Sequence, residues 1–152
     1  MRWRMIDRLW DFTPWRHIRA RKMASLEEYC LLEILGVKGL APGSLLLGAA
    51  LEAIEWLVAQ SSDYSRFPWA DEINDFAIIR YLRPAEILDF SINICASDCA
   101  GQPFLSAGVK GKVRTELVCQ GVITVKLADW PGPYSINKKM WKELYRDVPA
   151  SA

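Results

Sequence analysis

Histidine is nearly absent from this chain: His17 stands alone among 152 residues, and the four cysteines, Cys30, Cys95, Cys99 and Cys119, show no paired Cys-x-x-Cys spacing. Metal centres need imidazoles and thiolates in spaced groups, so no metal is expected. The cysteines read instead as small core side chains in a reducing compartment. Excess charge is also lacking. Nineteen Lys and Arg against eighteen Asp and Glu leave +1, which excludes a bulk polyelectrolyte as the partner. The longest apolar run, residues 45 to 59, is about fifteen residues, short of the roughly twenty that cross a bilayer, and Glu52 and Glu55 interrupt it. No membrane span is expected. The first residues carry arginines without an apolar signal core or small-residue cleavage site, so cytoplasmic residence is the default. Gly36, Gly39 and Gly43 have neither the spacing of a dinucleotide loop nor the Lys-Ser/Thr of a phosphate loop, and no cofactor is expected.

What is present is an ordinary globular composition, half hydrophobic and a quarter charged. Its length suits one domain over residues 1–152, with a core over about 5–130 and a short C-terminal helix over about 135–146. Residues 5–12 and 17–24 alternate in polarity around Thr13-Pro14-Trp15 and predict two strands. LEEYCLLEIL suggests a turn or two of helix before the glycines. From Ser44, placed to act as N-cap, a Leu- and Ala-rich helix runs to about Gln60. Apolar residues cover most of its azimuths, so other structure must wrap it on all sides. Residues 61–68 read as a loop. Then come DFAIIRYL, ILDFSINIC, LSAGVKGKVR and LVCQGVITVKL, a series of strands. About six strands and one dominant helix make an α+β fold, a curved antiparallel sheet wrapped round the helix.

Those segments resemble a family. MIDRL, LEEYCLLEILGVKGLAPGSLLLGAALEAIEWL, and YLRPAEILDFSI followed by VKGKV are similar to the beta-hydroxyacyl-acyl-carrier-protein dehydratases of fatty acid synthesis, over about residues 5–128. The resemblance implies the hotdog fold, an acyl-thioester substrate, and dimers with the acyl tunnel at the interface, often assembled into hexamers. In that family a loop opening with a catalytic histidine ends in Pro-Gly and leads into a helix bearing a catalytic acid. Pro42 and Gly43 match the Pro-Gly; counting from them, the histidine position falls on Ile34 and the acid position on Gly48. Isoleucine and glycine can neither take nor give a proton, so the usual dehydration chemistry is lost or replaced.

Glu52 is the first replacement to weigh, one helical turn beyond Gly48 on the same face. A buried carboxyl group there would have a raised pKa, as general acids do. The weightier reading is structural, with Glu52 hydrogen-bonded across a dimer or to a loop amide. Glu55 is near the same face. Glu33, beside Ile34, is a weaker candidate because neighbours in extended chain point to opposite sides. His17 sits among arginines on an early strand and reads as a surface histidine. Cys30 has no neighbouring base to make a thiolate nucleophile.

The amides of Gly43 and Ser44 at the helix N-terminus could hold a thioester carbonyl oxygen. Ile34, Leu35, Leu40 and Ala41 would line acyl space. Arg16, Arg19, Arg21 and Lys22, extended by Lys110, Lys112 and Arg114, form a basic rim that reads either as a solvated face or as a dock for the acidic carrier protein the resemblance implies, rather than for nucleic acid. Three readings remain open: an acyl-thioester binder on acyl carrier protein or acyl-CoA, an active dehydratase, isomerase or thioesterase using a non-standard carboxylate, and a non-catalytic subunit in a heterodimer with an intact dehydratase.

Overall fold

The structure, a computed structural model, describes residues 5–25, 32–34, 36–95, 101–131 and 135–145. Two strands, β1 (Arg8–Thr13) and β2 (His17–Met23), open the chain; a small hairpin of β3 (Leu32–Ile34) and β4 (Val37–Leu40) leads into α1 (Gly43–Ser61). Four strands follow, β5 (Arg66–Ile78), β6 (Ile87–Ile94), β7 (Phe104–Val113) and β8 (Glu116–Asp129), and then α2 (Ser135–Leu144). The large sheet is antiparallel throughout, in the order β1-β2-β6-β7-β8-β5.

Period-two patterning decides which side of each strand faces α1. On β6, Leu88, Phe90 and Ile92 are buried while Asp89 and Ser91 stay half-buried and Asn93 is exposed. Ile18 and Ala20 on β2, Leu105, Ala107 and Val109 on β7, and Ile123, Val125 and Leu127 on β8 complete the same face. Against it α1 buries Leu45, Leu46, Ala49, Ala50, Ala53, Ile54, Trp56, Leu57, Val58 and Ala59. Each large aliphatic side chain removed from water there contributes about 1.5–3 kcal/mol. By length and composition alone α1 is long and apolar enough to cross a membrane, but most of it is buried inside this structure.

Four local expectations change. Leu32–Ile34 is a strand and not helix, because Gly36 (φ +79) takes the left-handed conformation that turns the chain back between Ile34 and Val37 as a hairpin; residues 26–31 and 35 lie outside the described residues. Pro42, not Ser44, is the N-cap of α1, and it offers no side-chain hydrogen bond. The segment read as a loop already belongs to β5 from Arg66; Pro68 disguised it, yet an edge strand tolerates a residue with no amide hydrogen. Finally, α1 is not wrapped all round. Leu47, Gly48, Leu51, Glu52 and Glu55 form a half-buried stripe at three- and four-residue spacing.

At the C-terminal end Leu144 is buried and Trp141 packs edge-on to Phe12, beside Trp56 and flat on Tyr145. α2 thereby docks beside β1, to which Tyr145 is joined by a bridge with Leu9.

Candidate functional site

Two cavities flank α1. The first, about 510 Å3, lies at its N-terminus and is lined by Leu40, Gly43, Ile78, Ile79, Arg80, Tyr81 and Arg83. The chain reaches it from two sides, and a bridge joins them: the Ala41 amide donates to the Leu82 carbonyl at 2.9 Å. Leu40, Ala41 and Leu82 are buried there. Gly43 lies directly under the end of the Ile78 side chain, which a Cβ at that position would push aside.

Helix geometry leaves the first amides of α1 without intrahelical acceptors. Only Leu45 finds one nearby, donating to the Pro42 carbonyl at 3.0 Å; among the described residues the Gly43 and Ser44 amides have no partner. The first turn carries no acidic residue either. A partly positive helix end therefore faces a cavity walled by apolar side chains and two arginines, an arrangement that favours a polarised carbonyl oxygen.

The two arginines lining this cavity differ. Arg80 binds Glu86 through two hydrogen bonds of 2.9 and 3.1 Å, and its Nε lies 3.0 Å from Glu116 Oε1. The Glu86 hydrogen bond raises the Arg80 pKa against the opposing effect of burial, with Glu116 adding to it. Burial pushes the Glu86 carboxyl up, but the Arg80 hydrogen bonds, the Arg83 amide and both guanidinium charges outweigh it and hold the carboxyl below its ordinary range. Arg80 thus braces the connection between β5 and β6. Arg83 is exposed, and among the described residues its guanidinium makes no ion pair within 4 Å, which leaves it available to an anion.

The second cavity, about 310 Å3, follows the half-buried stripe and is lined by Met5, Gly48, Leu51, Glu52, Glu55, Phe67, Pro68, Trp69, Ala70 and Val125. Gly48, the position of the expected acid, touches the N-terminal segment: a Cβ there would lie 2.5 Å from Met5 Sδ. Glu52 ties the same segment down. Its Oε2 accepts the Met5 amide at 2.6 Å and its Oε1 faces the Trp56 indole nitrogen at 3.4 Å. Met5 therefore fills the space an acid at position 48 would occupy, and the Glu52 carboxylate is engaged in holding it there. Glu52 is nine residues along the helix from Gly43, about 13 Å at 1.5 Å per residue, too far to act on a carbonyl held at the helix N-terminus.

Of the other residues singled out, Glu33 and Ile34 belong to the β3 backbone, with side chains outside the described residues, as are Leu35, Cys30 and Cys99 entirely. His17 points to the outer face of the sheet, between Asn93 Oδ1 at 2.9 Å and Asp11 Oδ2 at 3.2 Å, on the opposite side from α1. Cys119 is buried, and that burial pushes its thiol up to about 11, against the pull of the Gly111 backbone; it is inert.

The basic residues do gather. Sheet register aligns Arg19 with Ser91 and Lys110, and Arg21 with Asp89 and Lys112, on the outer face. Part of that charge is already met: Arg21 grips Asp89 at 2.6 and 2.9 Å and lies over the Trp10 ring, and Arg19 reaches Asp11 at 3.3 Å. Arg16 is exposed. Lys22 faces inward, buried, with Nζ donating to the Met23 carbonyl at 3.2 Å, so it offers no charge to a partner. Reasoning from sequence missed the segment from Ile78 to Arg83 as a wall of the first cavity; its signal was the apolar IIRYL, interrupted by Arg80 and followed by Arg83, which read simply as the end of a strand.

No protein-family model matches the chain, and no curated protein matches it in sequence. Solved structures do match in shape. The dehydratase heterocomplex ApeI:P from Xenorhabdus doucetiae is 12% identical with a TM-score of 0.64, covering 90% of this chain and 88% of that chain. The fluoroacetyl-CoA thioesterase FlK is 9% identical with a TM-score of 0.64, covering 91% and 99%. A hypothetical thioesterase protein with coenzyme A from Streptococcus pneumoniae is 13% identical with a TM-score of 0.56, covering 77% and 85%. The fold is the hotdog fold. At these identities the likeness extends to the fold and not to an activity.

Proposed function

We propose that this chain is a cytoplasmic, dehydratase-like hotdog protein that binds an acyl thioester, carried by acyl carrier protein or coenzyme A, without performing the usual dehydration. The observation that carries the reading is the uncapped N-terminus of α1 opening on the cavity of Leu40, Gly43, Ile78, Ile79 and Tyr81. The Gly43 and Ser44 amides receive the thioester oxygen, the apolar wall takes the acyl chain, and Arg83 meets the phosphate of the pantetheine arm. Dehydration needs a base for the proton beside the carbonyl and an acid for the departing hydroxyl. Gly48, where the acid is expected, supplies neither, and Glu52 lies in the second cavity bound to Met5. An acidic carrier protein would approach the outer-face cations Arg16, Arg19, Arg21, Lys110 and Lys112.

Incubating the pure protein with a beta-hydroxyacyl carrier protein tests this directly. Retained binding without loss of water by mass spectrometry is expected, with affinity falling about fivefold in Arg83→Ala as one charge-assisted contact is removed. Turnover that disappears in Glu52→Ala would instead establish an active enzyme with a relocated carboxylate.

A second reading is favoured by the open β5 edge and by the 90% coverage of the dehydratase heterocomplex fold: a subunit that pairs with an intact dehydratase. Native mass spectrometry after co-expression with such a dehydratase distinguishes a mixed dimer from a homodimer or a trimer of dimers.

A further inference from the structure

We propose that Ile78 selects which acyl groups this chain accepts, admitting those unbranched beside the thioester carbonyl and excluding those with a methyl branch on the adjoining carbon. The inference rests on the thioester reading above and names the substrate class of that same cavity. It starts from one atom. The tip of the Ile78 side chain, Cδ1, lies against the point where a Cβ on residue 43 would stand, and Cγ1 follows 3.5 Å from that point. Ile78 thus covers the residue whose amide begins α1, while Leu40, Ile79 and Tyr81 give the cavity the rest of its apolar wall.

The sequence aims Ile78 there by breaking the alternation of β5. Asn74 pairs with Val122, which is exposed on the outer face of the sheet, and strict alternation would send residues 76 and 78 outward as well. Instead one extra residue is inserted between Asn74 and Ala77, with Asp75 at φ +52, so that Ala77 pairs with Gln120 and Ile78 with Cys119. Cys119 is buried, and Ile78 therefore points to the α1 side. Gly121 makes room for the bulge: a Cβ there would lie 2.6 Å from Phe76 Cα and 3.0 Å from Phe76 Cβ. Re-aiming a side chain beside a binding site is a recurrent use of such bulges. Branching at Cβ then restricts χ1 and holds Ile78 in place better than an unbranched residue would be held.

A carbonyl oxygen received by the Gly43 and Ser44 amides brings the carbonyl carbon and its neighbour to the first turn of α1. A methylene beside the carbonyl passes under Ile78. A carbon bearing a methyl branch meets Cδ1 and must displace it. One methyl or methylene in a close apolar pocket separates ligands by about 10–200-fold, which is the range in which Ile78 acts.

Ile78→Val deletes Cδ1 alone and keeps the branch at Cβ, and at 39% exposure the position tolerates the change without loss of the fold. The full chain is titrated with butyryl-pantetheine and with isobutyryl-pantetheine, and the dissociation constants are read from the Gly43 and Ser44 amide shifts. Wild type is expected to prefer the butyryl thioester at least about tenfold. In Ile78→Val the preference should shrink to about threefold or less, through tighter isobutyryl binding, with butyryl affinity within about twofold of wild type. Ile73→Val is the control: it lies on the same strand, pairs with the buried Ile123 and lines neither cavity flanking α1, so it should keep the wild-type preference. Butyryl binding at Gly43 and Ser44 with no preference over isobutyryl, or with a preference that Ile78→Val leaves unchanged, would overturn the role of Ile78 and spare the thioester reading. Shifts at neither amide with either thioester would overturn both.

Discussion

At the β1 edge the chain closes on itself: Leu9 is bridged to Tyr145, Trp141 packs against Phe12 and Tyr145, and Leu144 is 1% exposed. At the β5 edge, thirteen residues of strand and the segment beyond it leave Trp69, Ile73, Ile78, Ile79 and Tyr81 facing solvent beside three carboxylates. The same sheet therefore spends a helix to finish one edge and leaves the other available. The available edge runs directly into the cavity at the N-terminus of α1, so the open edge and that cavity share one side of the molecule.

The difference can be broken most sharply by truncating one side chain at each edge. Leu144→Ala should destabilise the fold by about 3 kcal/mol in urea unfolding, because a buried leucine leaves a cavity. Trp69→Ala, at the open edge, should change the stability of the monomer by no more than about 0.5–1 kcal/mol. Equal losses would show that the two edges are not finished differently.

Glu52 lies between those regions. Glu52→Ala leaves the Met5 amide without its acceptor and should cost about 1–3 kcal/mol by chemical denaturation. Thioester affinity should stay within about twofold, since the carboxylate is remote from the helix N-terminus.

Titration separates the two sides by the direction of pH. Near the open side, Glu86 has a lowered carboxyl pKa in the folded state, so its contribution is present above the unfolded value and is lost as pH falls. The stability gap between wild type and Glu86→Gln, about 1 kcal/mol at neutral pH for a partly exposed pair, should close on acidification. Near the closed side, burial and then the Asp63 charge push the buried Tyr64 phenol up to about 12, while Lys138 of α2 pairs with Asp63 and sits over the Tyr64 ring. The unfolded chain loses that proton near pH 10, so stability should fall between pH about 10 and about 12, read by thermal melts of wild type against Tyr64→Phe.

The closed side was also the more legible in sequence. Strands β2, β6, β7 and β8 and helix α1 alternate or repeat cleanly because one face is buried by this chain alone, and the apolar residues report it. Trp141 and Leu144 stand out as apolar residues in an otherwise polar C-terminal helix for the same reason. The open side was harder. β5 has bulges, Pro68 and an exposed apolar edge, so its pattern does not report burial within the chain, and its first three residues resembled a loop. Of the candidate site, Gly43, Ser44, Leu40 and Ala41 could be placed by the Pro-Gly that opens α1. The part played by Met5 at Gly48 could not, since it depends on a contact across forty-three positions of sequence.

Amide chemical-shift mapping with an acyl-pantetheine thioester tests the central claim, that this hotdog chain binds a thioester at the open side of α1. Shifts concentrated at Leu40, Gly43, Ser44 and the segment from Ile78 to Tyr81, with Leu144 and Tyr145 unchanged, are the predicted result. No shift at Gly43 and Ser44, or shifts centred on α2, would contradict it.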